Sequence, residues 1–137
     1  MPPPKVLIVE DERIVAKGLH ARLTWMGYAV VASVASGEAA IREAEHSSPD
    51  LVLMDIRLEG PMDGIEAARR IQQRFNIPVV YLTAHADEQT FERAKQTRPC
   101  GYLTKPYAEA ELKRAIESAL QTSRQATDPD TGRTMDR

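Results

Sequence analysis

At 137 residues, with a formal net charge of -2 and 42% hydrophobic residues, the chain fits one domain built around a single core. Its charge balance gives no electrostatic case for direct binding to nucleic acid or an anionic membrane, both of which would ask for a concentrated basic face, and a single cysteine, Cys100, excludes an internal disulfide. No apolar run approaches the length of a signal-peptide core or a membrane span, so the cytoplasm is the expected compartment.

Residues 5–9 (KVLIV) set four apolar residues in a row behind a proline-rich lead, as a central strand covered on both faces would. A helix follows: Val15, Leu19 and Leu23 recur on one face, and Gly27 stands where helices commonly stop in left-handed geometry. Tyr28 to Val34 reads as the second strand. Ser36 is the expected N-cap of a short helix whose apolar side is Ala40, Ile41 and Ala44, broken by Ser47-Ser48-Pro49-Asp50. Leu51 to Met54 forms the third strand and delivers Asp55. The loop from Ile56 to Gly64 is long for such a connection and contains Gly60, Pro61 and Gly64, which predicts a functional shape.

Asp63 is the expected cap of the third helix, whose buried stripe is Ile65, Ala68, Ile71 and Phe75. Pro78 precedes the fourth strand, Val79 to Leu82, which runs into Thr83. Asp87 caps a fourth helix, the least apolar, with Phe91 and Ala94 facing inward and Pro99 at its end. Cys100 to Leu103 makes a short fifth strand leading into Thr104-Lys105-Pro106, and Leu112, Ala115, Ile116 and Ala119 stripe the last helix. From Thr122 the chain has no periodicity and almost nothing aliphatic, so residues 1–121 are the expected domain and 122–137 a disordered tail or linker. Trp25, Met26 and Met54 read as packing residues, His20 and His46 as solvated helix residues, and Cys100 as small core filler.

Alternating strands and helices predict an α/β fold, a doubly wound parallel sheet in three layers. The strand ends then bring Glu10, Asp11, Asp55, Thr83 and Lys105 together at the carboxyl edge, where open α/β sheets keep their sites. No glycine-rich turn follows the first strand and no P-loop occurs, which disfavours a nucleotide site. Carboxylates about 4 Å apart repel by roughly 4 kcal/mol near a protein surface. Such a trio holds protons or recruits a divalent ion, and an oxygen-only donor set favours Mg2+, with Mn2+ as the alternative. Asp55, alone at its strand end with Lys105 and Thr83 as donors, is the best nucleophile for phosphoryl transfer through an aspartyl phosphate.

In these residues the chain resembles the receiver domain of two-component response regulators, the CheY-like superfamily, over residues 5 to about 121. The resemblance implies a flavodoxin-like five-stranded sheet in the order 2-1-3-4-5. It also implies roles: Asp11 binding Mg2+ directly, Glu10 acting through a metal-bound water, Asp55 as phosphoacceptor and the main-chain carbonyl of Arg57 as a further ligand. Thr83 matches the switch hydroxyl, Tyr102 the switch aromatic and Lys105 the active-site lysine, with a cis peptide before Pro106. The implied function is that of a phosphorelay signalling domain, catalysing only its own phosphorylation and dephosphorylation. Asp55 would take a phosphoryl group from a histidine kinase or histidine phosphotransfer protein, and Thr83 would move towards it, making room for Tyr102. The surface of the fourth helix, fifth strand and fifth helix would then switch for partner binding or homodimerisation. Ile14, beside the acids, reads either as a contact for the donor's helical bundle or as core.

Two departures from the family pattern stand out. The acidic pair begins with Glu10 where many members carry aspartate, and Pro61 lies six positions after Asp55 where the usual proline lies four. Arg57 and His85, two positions beyond Asp55 and Thr83, fall where the family flanks the path of the attacking water, so this bulky pair is expected to slow loss of the phosphoryl group. The rival from another class is a Mg2+-dependent phosphohydrolase of the haloacid-dehalogenase type, but it needs a second acid where Arg57 stands. A pseudo-receiver used only for docking would normally lack the acids present here. Taken alone, Asp55 reads as a cap and Tyr102 as an amphipathic strand residue.

Overall fold

Parallel strands joined by helices must lie side by side with their carboxyl ends at one edge, and the apolar runs do so. The computed structural model describes residues 2–84 and 87–127. In it β1 (Lys5–Val9), β2 (Ala29–Val34), β3 (Leu51–Met54), β4 (Val79–Thr83) and β5 (Gly101–Thr104) form one parallel sheet in the order β2-β1-β3-β4-β5. The connections are α1 (Arg13–Trp25), α2 (Gly37–Ser47), α3 (Gly64–Phe75) and α4 (Glu88–Gln96), and α5 (Glu109–Thr127) follows the last strand. This is the expected flavodoxin-like order.

Alternate residues of the central strands feed two cores, as a period of two requires. Leu7, Val9, Val52, Met54, Val79 and Tyr81 face α2, α3 and Ala94 of α4. Val6, Ile8, Leu51, Leu53, Val80 and Leu82 face Ala16, Leu19 and Leu23 of α1 and Leu112, Ile116 and Ala119 of α5. Helix starts follow their caps: Ser36 accepts from the Ala39 N–H, Asp63 from Glu66 and Asp87 from Thr90. Val9 lies opposite Met54 and Thr83 opposite Thr104, so the residues that follow those strands emerge together. Among the described residues no helix is long and apolar enough to cross a membrane.

The structure corrects several expectations. Trp25 is 86% exposed, because it lies about 200° round the helix from Leu23, on the side away from the core. Phe91 is 40% exposed, at the rim of α4, where Ala94 is the buried side chain. Tyr28 precedes β2 and Cys100 precedes β5, although the Cys100 N–H still donates to the Val79 carbonyl at 2.9 Å. α5 continues through Thr127, past the expected boundary at 121. A helix propagates without an apolar face once nucleated, and no glycine or proline interrupts residues 122–127. Residues 128–137 of the expected tail lie outside the described residues.

The extra length after Asp55 is taken up laterally. The Glu59 N–H donates to the Ala35 carbonyl at 3.3 Å, Glu59 bridges Ser36, and Gly60 turns the chain at φ +85. Met62 fits against Gly37, where a Cβ would come within 2.9 Å of its sulfur. The loop is thereby fastened to the start of α2.

Candidate functional site

Four groups converge at the carboxyl edge of the sheet. Glu10, just past β1, is buried, and its Oε2 accepts the Glu12 N–H at 3.0 Å. Asp55, just past β3, is also buried, and its own N–H donates to the Val9 carbonyl at 2.9 Å. The Arg57 N–H donates to Asp55 Oδ1 at 3.3 Å. Lys105 reaches in from beyond β5 and donates to Glu10 Oε1 at 2.7 Å and to Asp55 Oδ2 at 3.2 Å. Glu10, Asp11 and Asp55 each offer a carboxylate oxygen, and these atoms lie within 4.8 Å of one another.

The electrostatics follow from that crowding. Burial first, then the charge of Glu10, push the Asp55 carboxyl up to about 6 against the pull of Lys105. Burial opposes ionisation of Glu10 as well, but bonds from Lys105 and the Glu12 N–H hold its carboxyl below the usual range. Burial likewise works against the Lys105 ammonium, and its contacts with Glu10 and Asp55 outweigh that and raise it. Lys105 therefore faces a trio of acids, a donor set that fits a hard divalent ion and keeps a carboxylate oxygen of Asp55 beside a fixed positive charge.

Thr83, fully buried, ends β4 one strand away from Asp55, and the Lys105 N–H donates to its carbonyl at 2.8 Å. Tyr102, opposite Tyr81 in the sheet, packs edge-on with Tyr81 at a centroid distance of 6.1 Å and with Phe91 at 5.0 Å. The Lys105–Pro106 peptide is cis. Arg57 is exposed, and His85 lies outside the described residues. Ile14 is 85% exposed, which removes the reading of it as core.

Two residues near the site escaped sequence reasoning. Gly64 had registered only as part of a long loop, yet a Cβ there would stand 2.0 Å from the Asp55 carbonyl oxygen, and the Gly64 N–H donates to Ile56 at 2.7 Å. Its one signal was a glycine directly after a helix cap, in a position that favours better helix formers. Tyr81 read as a core strand residue, but its phenol is 2.8 Å from the Thr97 hydroxyl at the end of α4.

The family model for the response regulator receiver domain matches residues 6–117. The chain is similar to the transcriptional regulatory protein PdtaR of Mycobacterium tuberculosis, with 38% identity over 125 residues, 91% of this chain and 60% of that one; it thus spans less than two thirds of that relative. Among solved structures it is similar to the signal receiver domain of a modulated diguanylate cyclase from Desulfovibrio desulfuricans, with a TM-score of 0.84 and 43% identity over 89% of this chain and 97% of the other. It is also similar to a chain of the CheX–CheY–BeF3–Mg complex from Borrelia burgdorferi, with a TM-score of 0.78 and 27% identity over 85% and 88%.

Proposed function

Since the chain belongs to the response regulator receiver domain family, we propose that Asp55 is its phosphoacceptor, charged by a phosphohistidine on a histidine kinase or histidine phosphotransfer protein. The observation that carries this reading is Lys105 donating to both Glu10 and Asp55 beside the acid trio. A carboxylate oxygen of Asp55 attacks phosphorus as the phosphorus–nitrogen bond breaks, and the electron pair of that bond returns to the imidazole. Lys105 follows the charge from the carboxylate to the phosphoryl oxygens, and Thr83 donates its hydroxyl to them. Glu10, Asp11, Asp55 and the main-chain carbonyl of Arg57 would hold Mg2+ or Mn2+, which supplies positive charge to offset those oxygens.

The haloacid-dehalogenase alternative is set aside, because the receiver family model spans nearly all of the described chain and Arg57 stands where that chemistry needs an acid.

The donor's helical bundle docks along α1. Ile14 and Trp25, 85% and 86% exposed, flank the exposed Gly18 and Ala21 on one side of the helix, and α1 carries Arg13, Lys17 and Arg22 with no acid. Drawing Thr83 towards a phosphorylated Asp55 makes room for Tyr102 and alters the α4–β5–α5 surface for a partner or a second copy. Moving such a switch from 1:99 to 99:1 takes about 5.5 kcal/mol, within reach of two or three charge-assisted hydrogen bonds. The domain's chemistry is confined to Asp55, in the cytoplasm.

The test is to incubate the chain with Mg2+ and acetyl phosphate and weigh it intact. The parent chain gains one phosphoryl group and Asp55→Asn gains none; no gain in the parent overturns the reading.

A further inference from the structure

α4 is thinly attached to the rest of the fold. Ala94 is its buried side chain, Phe91 meets Tyr102 at the rim, and Thr97 just beyond its end meets the Tyr81 phenol. Arg93 adds an ion pair, its guanidinium lying 3.0 Å from Asp63 Oδ2.

Asp63 already has a task on its own helix. Its Oδ1 accepts the Glu66 N–H at 2.9 Å and closes the first turn of α3. The next residue, Gly64, packs so tightly on the Asp55 carbonyl that no side chain fits between them. A short path of direct contacts therefore runs from the Asp55 backbone through Gly64 and Asp63 to Arg93 on α4.

A second charge relationship has the opposite sign. The Asp87 carboxyl, which caps α4, is held below the usual range chiefly by the Thr90 N–H, with the positive charge of Arg57 adding to it. The loop after Asp55 thus presents a cation at 57 and an anion at 63, while α4 presents an anion at 87 and a cation at 93. Both pairs are six residues apart, so the charges match in order along the two segments.

We infer that Asp63 is a positioning residue which, through Arg93, ties the loop carrying Asp55 to α4 and holds that helix in its resting position. This rests on the reading of Asp55 as phosphoacceptor and adds to it a route by which the site and α4 communicate, separate from the Thr83 hydroxyl. The pair is partly exposed, with side-chain exposures of 56% and 34%, so its effect is expected to be about two- to fivefold.

The test is a double-mutant cycle in the full chain, with Asp63→Asn, which keeps an oxygen for the Glu66 N–H, Arg93→Met and the double variant. Amide hydrogen exchange is followed in peptides from α3 and α4 without phosphodonor. Each single variant is expected to speed exchange in α4 about two- to fivefold and leave α3 unchanged, the double to add nothing further, and Arg93→Lys to restore part of the protection. Phosphorylation by acetyl phosphate with Mg2+ is expected to quicken by a similar factor in both singles. Unchanged α4 exchange, multiplying effects in the double, a change confined to α3, or, where the parent chain is labelled, an unchanged phosphorylation rate each overturn the inference. Because exchange is read without phosphodonor, its outcome is independent of whether Asp55 accepts a phosphoryl group.

Discussion

The ammonium of Lys105 lies 2.7 Å from Glu10 and 3.2 Å from Asp55. One lysine spans two of the acids, and the third, Asp11, brings a further carboxylate oxygen within 4.8 Å of theirs. Replacing Asp11 with Asn removes one of three clustered carboxylates and is therefore expected to leave the metal-free fold at least as stable as the parent. Mg2+ is expected to raise the Tm of the parent chain, and the same change to remove that rise. Thermal unfolding in EDTA and in Mg2+ checks both, and a less stable variant in EDTA counts against this view of the site.

Gly64→Ala would force a methyl group to within 2.0 Å of the Asp55 carbonyl oxygen. Backbone must move to admit it, so a loss of about 3 kcal/mol or more is expected, with slower phosphorylation in whatever remains folded. Urea unfolding decides it; a loss under about 1 kcal/mol means the close approach is not as tight as it looks.

Tyr81 makes stability depend on alkaline pH. Burial above all, with a contribution from the charge of Asp63, outweighs the Thr97 hydrogen bond and pushes the phenol up to about 12 from an ordinary 10. The folded state thus keeps a proton that the unfolded chain loses above about pH 10. Stability is full below that pH and falls as pH rises towards 12, by at most about 2.7 kcal/mol from this group. Tyr81→Phe should flatten the fall between about pH 9 and about pH 11.5; an unchanged slope rules the tyrosine out as its source.

Ile14 is exposed beside the acids, so Ile14→Asp is expected to leave stability within about 0.5 kcal/mol. Acetyl phosphate labelling should be unchanged, whereas transfer from a cognate phosphohistidine protein should slow about tenfold or more. Transfer from the phosphohistidine protein to the variant as fast as to the parent would remove α1 as the docking face.

Arg57 and His85 together are expected to shield the aspartyl phosphate from water. Changing both to Ala should shorten its lifetime, measured as the return of the unmodified mass after the phosphodonor is removed. A lifetime no shorter than the parent's would discard the idea.

β1, β3 and β4 were legible because their apolar runs are continuous and end on polar groups, as at Val6 to Val9 before Glu10. That pattern also located the acid trio and Lys105, since parallel strands leave few places for their ends. Helix faces were less secure. Trp25 and Phe91 were taken for core because they are large and apolar, but a helix buries by angular position, and α4 has room inward chiefly for Ala94. The end of α5 could not be read from periodicity, because an exposed helical turn needs none. Gly64 and the Asp63–Arg93 pair depend on distances between segments far apart in the chain, which local patterns do not record.

Trp25 is the chain's single tryptophan, and it stands in solvent at the end of α1 about 18 Å from the residues that open that helix. Its emission is therefore a built-in optical reporter for that flank of the molecule. Events confined to the acid cluster should leave its colour nearly unchanged, and a protein that comes to lie along α1 should shift it to the blue.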